Sequence, residues 1–267
     1  MAADMPEELL LLGQLLSPFA DSLPLKHYPP DCWSKAYQLA NKHYLATALS
    51  HALLTHGVTE NMPPDYLAFI QEMHQLNSER NNSLRQQLLE LIGTLNRVGI
   101  RPLLLKGASS LLADEFPNPG IRFLVDLDLF VDPHELDSAI SALESIGYAS
   151  PAEYLSTYNP ALAKHYPPLF RESTPATVEL HFKLFDRNAK CLFTVNDIYS
   201  QGRIEKQYGV EYSLMSPNQH ILYTIFHAMI HHRLYDYHVL PLRECFHYAH
   251  LLNYYGRAID RTNIQSV

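Results

Sequence analysis

Apolar residues recur every three to four positions through most of the first half of the chain, the period of a helix with one buried face. The pattern predicts helical segments over Glu7 to Phe19 and Trp33 to Leu54. A longer one is predicted over Tyr66 to Val98, with Leu84, Leu88, Leu91, Ile92 and Leu95 as its apolar stripe and an interruption near Asn81-Asn82. At Gly99 the texture changes. Arg101 to Leu105 is a short apolar run ended by Lys106-Gly107, the pattern of a buried strand. A helix over Ala108 to Ala113 follows, until Pro117, Pro119 and Gly120 break the chain. A second strand is predicted over Leu124 to Val131, then a helix from Pro133 to Ile146 that closes at Gly147. Irregular, proline-rich sequence leads to a third strand over Thr177 to Leu184, and short segments precede helices from Pro217 to Arg233 and from Pro241 to Tyr255. The layout is α+β: a small mixed sheet in the core, 99–188, between a helical N-terminal region, 1–98, and a helical C-terminal region, 189–267.

Composition narrows this picture. With 47% apolar and 18% charged residues the chain is of ordinary globular type. No apolar run reaches the ~18 residues of a membrane span. Acidic Glu7 and Glu8 precede the first leucines, where a secretory signal would carry positive charge, so a cytoplasmic location with no membrane partner is expected. Cys32, Cys191 and Cys245 are widely spaced and suggest neither disulfides nor a cysteine-rich metal site. The net charge of -8 disfavours a polyanionic partner, so small molecules or proteins fit better than RNA.

The candidate chemistry starts at Val125-Asp126-Leu127-Asp128-Leu129. Strand alternation puts Asp126 and Asp128 on one face and the leucines on the other. Two like charges a pleat apart are reconciled either by a divalent cation with oxygen ligands or by solvent along an edge strand. Upstream, Lys106-Gly107-Ala108-Ser109-Ser110 joins a strand to a helix start, where free N–H groups favour phosphate. Downstream, Glu179 and His181 share one strand face. Lys106 reaches a phosphate or pairs with Asp128 or Glu179; Arg122 touches phosphate or braces its loop; His181 carries a proton or orients Glu179. His220, His227 and His231 form one helical stripe with Thr224. HAMIH lacks the glutamate of a zincin helix, so the stripe faces solvent or a nucleotide cleft more readily than it binds zinc. No GxSxG elbow, P-loop or GxGxxG occurs.

Taken in order, Leu105-Lys106-Gly107, Gly120-Ile121-Arg122, Asp126-Leu127-Asp128-Leu129, Gly147-Tyr148 and Glu179-Leu180-His181 resemble the uncharacterised nucleotidyltransferase family of the polymerase-β-like superfamily, over roughly Leu88 to Leu252. The resemblance implies transfer of a nucleoside monophosphate from an NTP (ATP among them) to an acceptor hydroxyl, with loss of pyrophosphate. Mg²⁺, or Mn²⁺ in its place, would be held by Asp126, Asp128 and Glu179 as catalytic metal ligands, with Lys106, Gly107, Ser109 and Arg122 binding the nucleotide. The acceptor is a small molecule, a protein or, less favoured, an RNA end. Alanine follows Gly107 where the superfamily has serine, so Ser109 or Ser110 would supply any hydroxyl. Relatives continue beyond the point where this chain ends, so a C-terminal segment is expected to be missing. The alternative is a catalytically inactive interaction protein that kept the fold.

Overall fold

The computed structural model describes residues 5–19, 28–57, 64–185, 194–231 and 240–260. Helices α1 (Glu7–Leu16), α2 (Pro30–Lys42) and α3 (Ala46–Thr55) bury Leu11, Leu12, Leu15, Ala40, Leu49 and Leu53 in an N-terminal cluster. The helical texture from Trp33 to Leu54 is two helices rather than one, because Tyr44 turns the chain with a left-handed φ of 56°. Few residues other than glycine adopt that conformation.

Helix α4 (Pro64–Arg97) runs through the expected interruption without a break. Its buried amides bond outward to the 117–124 loop, leaving the helical ladder intact. Asn77 Nδ2 donates to the carbonyls of Gly120 (2.8 Å) and Arg122 (3.1 Å), and Asn81 Nδ2 donates to those of Pro119 (2.6 Å) and Arg122 (2.7 Å). Gly120 presses so close that a Cβ there would lie 2.3 Å from Ser78 Oγ and 2.5 Å from the His74 ring. The stripe Leu84, Leu88, Leu91, Ile92 and Leu95 is fully buried against the sheet, where truncating one leucine to alanine costs about 2–5 kcal/mol.

The sheet begins with β1 (Leu103–Leu104), a strand of two residues, and the chain enters α5 (Lys106–Leu112) at once. Strand β2 (Asp126–Phe130) follows, then a 3₁₀ turn, α6 (Leu136–Glu144), α7 (Ala152–Thr157) and β3 (Thr177–His181). Beyond it lie α8 (Val195–Gln201), β4 (Arg203–Gln207) and β5 (Val210–Leu214). The strand order is β3-β2-β1-β5-β4. β2 runs parallel to β3 and β1 parallel to β5, while β1–β2 and β4–β5 are antiparallel. The architecture is therefore α+β with a mixed sheet. The β4–β5 hairpin, drawn from 203–214, turns through Tyr208 and Gly209, both at positive φ (55° and 77°), as a two-residue hairpin turn that follows strand twist requires.

Helix α9 (Pro217–Phe226) continues as a π-helical turn over His227–His231, and α10 (Leu242–Tyr255) closes the described chain with a short 3₁₀ turn. Ser216 and Gln219 form a capping box at the start of α9. One sheet face, with Leu127, Leu129, Val178 and Leu180, packs on α4 and α6. The other carries the carboxylates, with Phe130 leading into a small cluster that includes Ile198 and Tyr223. Among the described residues, no helix is long and apolar enough to cross a membrane.

Candidate active site

Strand alternation and register bring the acids together. Asp126 and Asp128 share a face of β2, and Asp128 lies opposite Glu179 on the parallel neighbour β3. Asp128 is buried. Its Oδ1 accepts from Lys106 Nζ at 2.6 Å and from His181 Nε2 at 2.7 Å. Burial alone would raise the pKa of Asp128, but the Lys106 charge and the His181 hydrogen bond outweigh it and hold the carboxyl well below the usual range. Burial likewise works against the Lys106 ammonium, and the attraction of Asp128 overcomes it, so its pKa is raised. Lys106 therefore realises the pairing alternative.

Glu179 also ends below its ordinary pKa: burial opposes ionisation, and hydrogen bonding from His181, 3.3 Å away, prevails. His181 lies nearer Asp128 than Glu179, so it chiefly orients Asp128. A carboxylate can only accept, which puts the proton on His181 Nε2 and occupies that nitrogen. Asp126 behaves differently. Burial, reinforced by Asp128, raises its pKa, and among the described residues no side chain or backbone N–H donates to it.

A cleft of about 270 Å³ opens beside these groups. Lys106, Gly107, Arg122, Asp126 and Asp128 line it from the core; Tyr223, Thr224, His227, Arg243, Glu244 and His247 face them from the C-terminal helices, and Tyr44 comes from the N-terminal region. The Cβ position of Gly107 is filled: a methyl there would sit 2.0 Å from Leu124 Cδ2. Any side chain there would have to displace Leu124 where α5 starts against the loop that leads into β2.

Ser109 and Arg122 lie at a second cluster. Ser109 is buried, is not among the residues lining the cleft, and donates to Glu115 Oε1 at 2.9 Å; Ser110 donates to Glu115 Oε2 at 2.6 Å. His220 of α9 and His247 of α10 stand 3.4 Å and 3.3 Å from the same carboxylate. Arg122 spans cluster and cleft, its Nη1 donating to Ser110 Oγ (2.6 Å) and approaching His247 Nε2 (2.8 Å). His247 Nε2 faces both the Arg122 donor (2.8 Å) and Glu115 Oε2 (3.3 Å), which only accepts. The shorter contact prevails, so the nitrogen offers its lone pair to Arg122 and the imidazole is neutral. Burial, with Arg122 adding to it, pushes His247 down to about 3. Burial brings Arg122 down to about 10, with Arg243 contributing.

Glu115 and Arg243 escaped the sequence reading. Residues 115, 220 and 247 share no local spacing, and Arg243 stands in the first turn of a helix without a motif. His220, expected on a stripe facing solvent or the cleft, is buried and accompanies Tyr255, 3.0 Å from Nδ1. His227 lines the cleft, and the side chain of His231 lies outside the described residues.

No curated protein and no solved structure matches the chain. A family profile described as "Uncharacterised nucleotidyltransferase" matches residues 29–266, a span that takes in the sheet, the carboxylate face and the C-terminal helices that close the cleft. The chain belongs to that nucleotidyltransferase family.

Proposed function

We propose that this protein moves a nucleoside monophosphate from an NTP to an acceptor hydroxyl, with Asp126, Asp128 and Glu179 as the catalytic carboxylates. The acceptor oxygen forms a bond to the α-phosphorus, the bond from that phosphorus to the bridging oxygen breaks, and pyrophosphate leaves with the electron pair. The acceptor proton passes to solvent or to a carboxylate.

The observation that carries the reading is the state of Asp126. It sits in the cleft beside the ionised Asp128, with a raised pKa and no protein donor among the described residues. A carboxylate so placed suits a hard cation. Asp128 spends one oxygen on Lys106 and His181, which fixes its carboxyl plane. Glu179 lies beside it across the strand pair. This oxygen-rich set fits Mg²⁺ or Mn²⁺ better than zinc, since the nitrogen of His181 nearest the carboxylates is already a donor. When bound, such ions would neutralise charge on the reacting phosphate and lower the pKa of the acceptor hydroxyl. The chain's own residues prepare the carboxylates: Lys106 offsets the charge of Asp128, and His181 sets its orientation. The net charge of -8 favours a small-molecule or protein acceptor over RNA.

The test is incubation of the purified protein and a cell extract with each α-labelled NTP and Mg²⁺ or Mn²⁺. Label should appear in an acceptor with wild type and vanish with Asp126→Asn. Absence of transfer with all four nucleotides and both metals would leave the family fold serving as an inactive interaction protein.

A further inference from the structure

The cleft is lined by arginines as well as carboxylates. Lys106 is committed to Asp128 at 2.6 Å, but its companions Arg122 and Arg243 have no such partner: among the described residues no carboxylate lies within salt-bridge distance of either. The groups nearest Arg122 Nη1 are Ser110 Oγ and the neutral His247. The two guanidinium groups act electrostatically on each other, and Arg243 also acts on Asp126. Glu115, Glu244 and Asp128 act on Arg122 from beyond salt-bridge distance and offset only part of the charge. Like charges gathered in a half-enclosed cleft repel, and a bound anion relieves that repulsion.

The aim of Arg243 is set by a stack. Its guanidinium lies over the Tyr44 ring at 5.5 Å, Tyr44 stacks on Phe123 at 6.1 Å with the rings 2° from parallel, and Arg80 lies over Phe123 at 5.2 Å. Tyr44 carries both a ring and a guanidinium, so it serves as a platform for Arg243. The left-handed backbone of Tyr44 delivers that platform from the turn between α2 and α3.

We propose that Arg122 and Arg243 form an anion clamp that grips the polyphosphate of the nucleotide, so that the donor substrate bridges the core and the C-terminal helices. This rests on the nucleotidyl-transfer reading for the identity of the anion. The placement favours the donor. The cleft lies on the Lys106 and Gly107 side of Asp128, whereas Glu179, on β3 at the other side of β2, is not among its lining residues. Planar guanidinium forks match phosphate oxygens, while Asp126 and Asp128, which line the same cleft, attract metal.

The experiment titrates inorganic tripolyphosphate in EDTA, and ATP and AMP in Mg²⁺, into wild type, Arg243→Gln, Arg243→Lys and Asp126→Asn, with melting temperatures to confirm folding. Wild type should bind tripolyphosphate without metal. Arg243→Gln should weaken it about tenfold or more, with Arg243→Lys between them. Asp126→Asn should leave it unchanged or tighter. In Mg²⁺, Arg243→Gln should weaken ATP far more than AMP. Wild type that ignores tripolyphosphate, or folded Arg243→Gln that binds it normally, overturns the clamp even where label transfer proceeds. A loss of tripolyphosphate binding with unchanged ATP affinity overturns the polyphosphate assignment and moves the anion to the acceptor. If the clamp behaves as expected and no label moves, the clamp stands and the transfer reading fails.

Discussion

Two carboxylate–histidine clusters lie on either side of the cleft, built from similar side chains to opposite ends. Around Glu115 the carboxylate is sealed off, held by two serine hydroxyls with two imidazoles and the Arg122 charge nearby. Around Asp128 the set is unfinished, since Asp126 shares the face and the cleft but receives no hydrogen bond from the described residues. A buried charge with its donors in place is stable as it stands. One left without donors beside a like charge is maintained against a cost. The contrast teaches where to look for chemistry: in the incomplete cluster, with the complete one serving to hold α5, the Arg122 loop, α9 and α10 in place.

The largest effect should come from breaking the closed cluster. Glu115→Ala removes a fully buried acceptor and leaves two serine hydroxyls without their partner, so stability should fall by about 3–5 kcal/mol, read as melting temperature or denaturant midpoint. A loss under about 1 kcal/mol would erase the distinction between the clusters. Asp128→Asn comes next. It strands the largely buried Lys106, at a cost of about 1.5–3 kcal/mol, and on the proposed reading should abolish label transfer as well.

The pH dependence sharpens the same contrast. His247 titrates near 3 when folded and at about 6.5 when unfolded. Between those values the unfolded chain binds the extra proton, so stability present at pH 7 is lost as pH falls. By pH 5 the loss from this group is ~2 kcal/mol. Glu115, whose pKa is depressed, adds a further loss at lower pH. Melting curves at pH 7 and 5 should show the drop, and His247→Gln should reduce it, leaving the part due to His250, which burial pushes down to about 4. The smallest expected change in stability is that of Asp126→Asn, unchanged or up by less than about 1 kcal/mol as repulsion is relieved, together with loss of transfer. A marked destabilisation there would make Asp126 structural and dissolve the comparison.

Much of the open cluster was legible because its information is local. Alternation along Val125 to Val131 sets the faces of Asp126 and Asp128, and the Thr177-to-His181 strand repeats the device for Glu179. The closed cluster was not legible, because its residues meet only after three distant segments have packed. Asn81 misled for a related reason. An amide on a helix suggests weakness when seen alone, whereas here tertiary partners in the 117–124 loop give it acceptors and the helix passes through. The β4–β5 hairpin was obscured by the charged Arg203, Glu205 and Lys206 of a mostly exposed edge strand, a composition that discourages pairing with other chains.

The brevity of β1 has a consequence for how the chain reaches its fold. This two-residue strand sits at the centre of the sheet and pairs with β2 soon after it in sequence, yet its partner on the other side, β5, is made far later. Such remote pairing is slow, because a long loop must close before any contact rewards it. During synthesis the β1–β2–β3 half, with its carboxylates, can assemble while the other edge of β1 is still open. Emergence of 203–214 then pairs the open edge of β1.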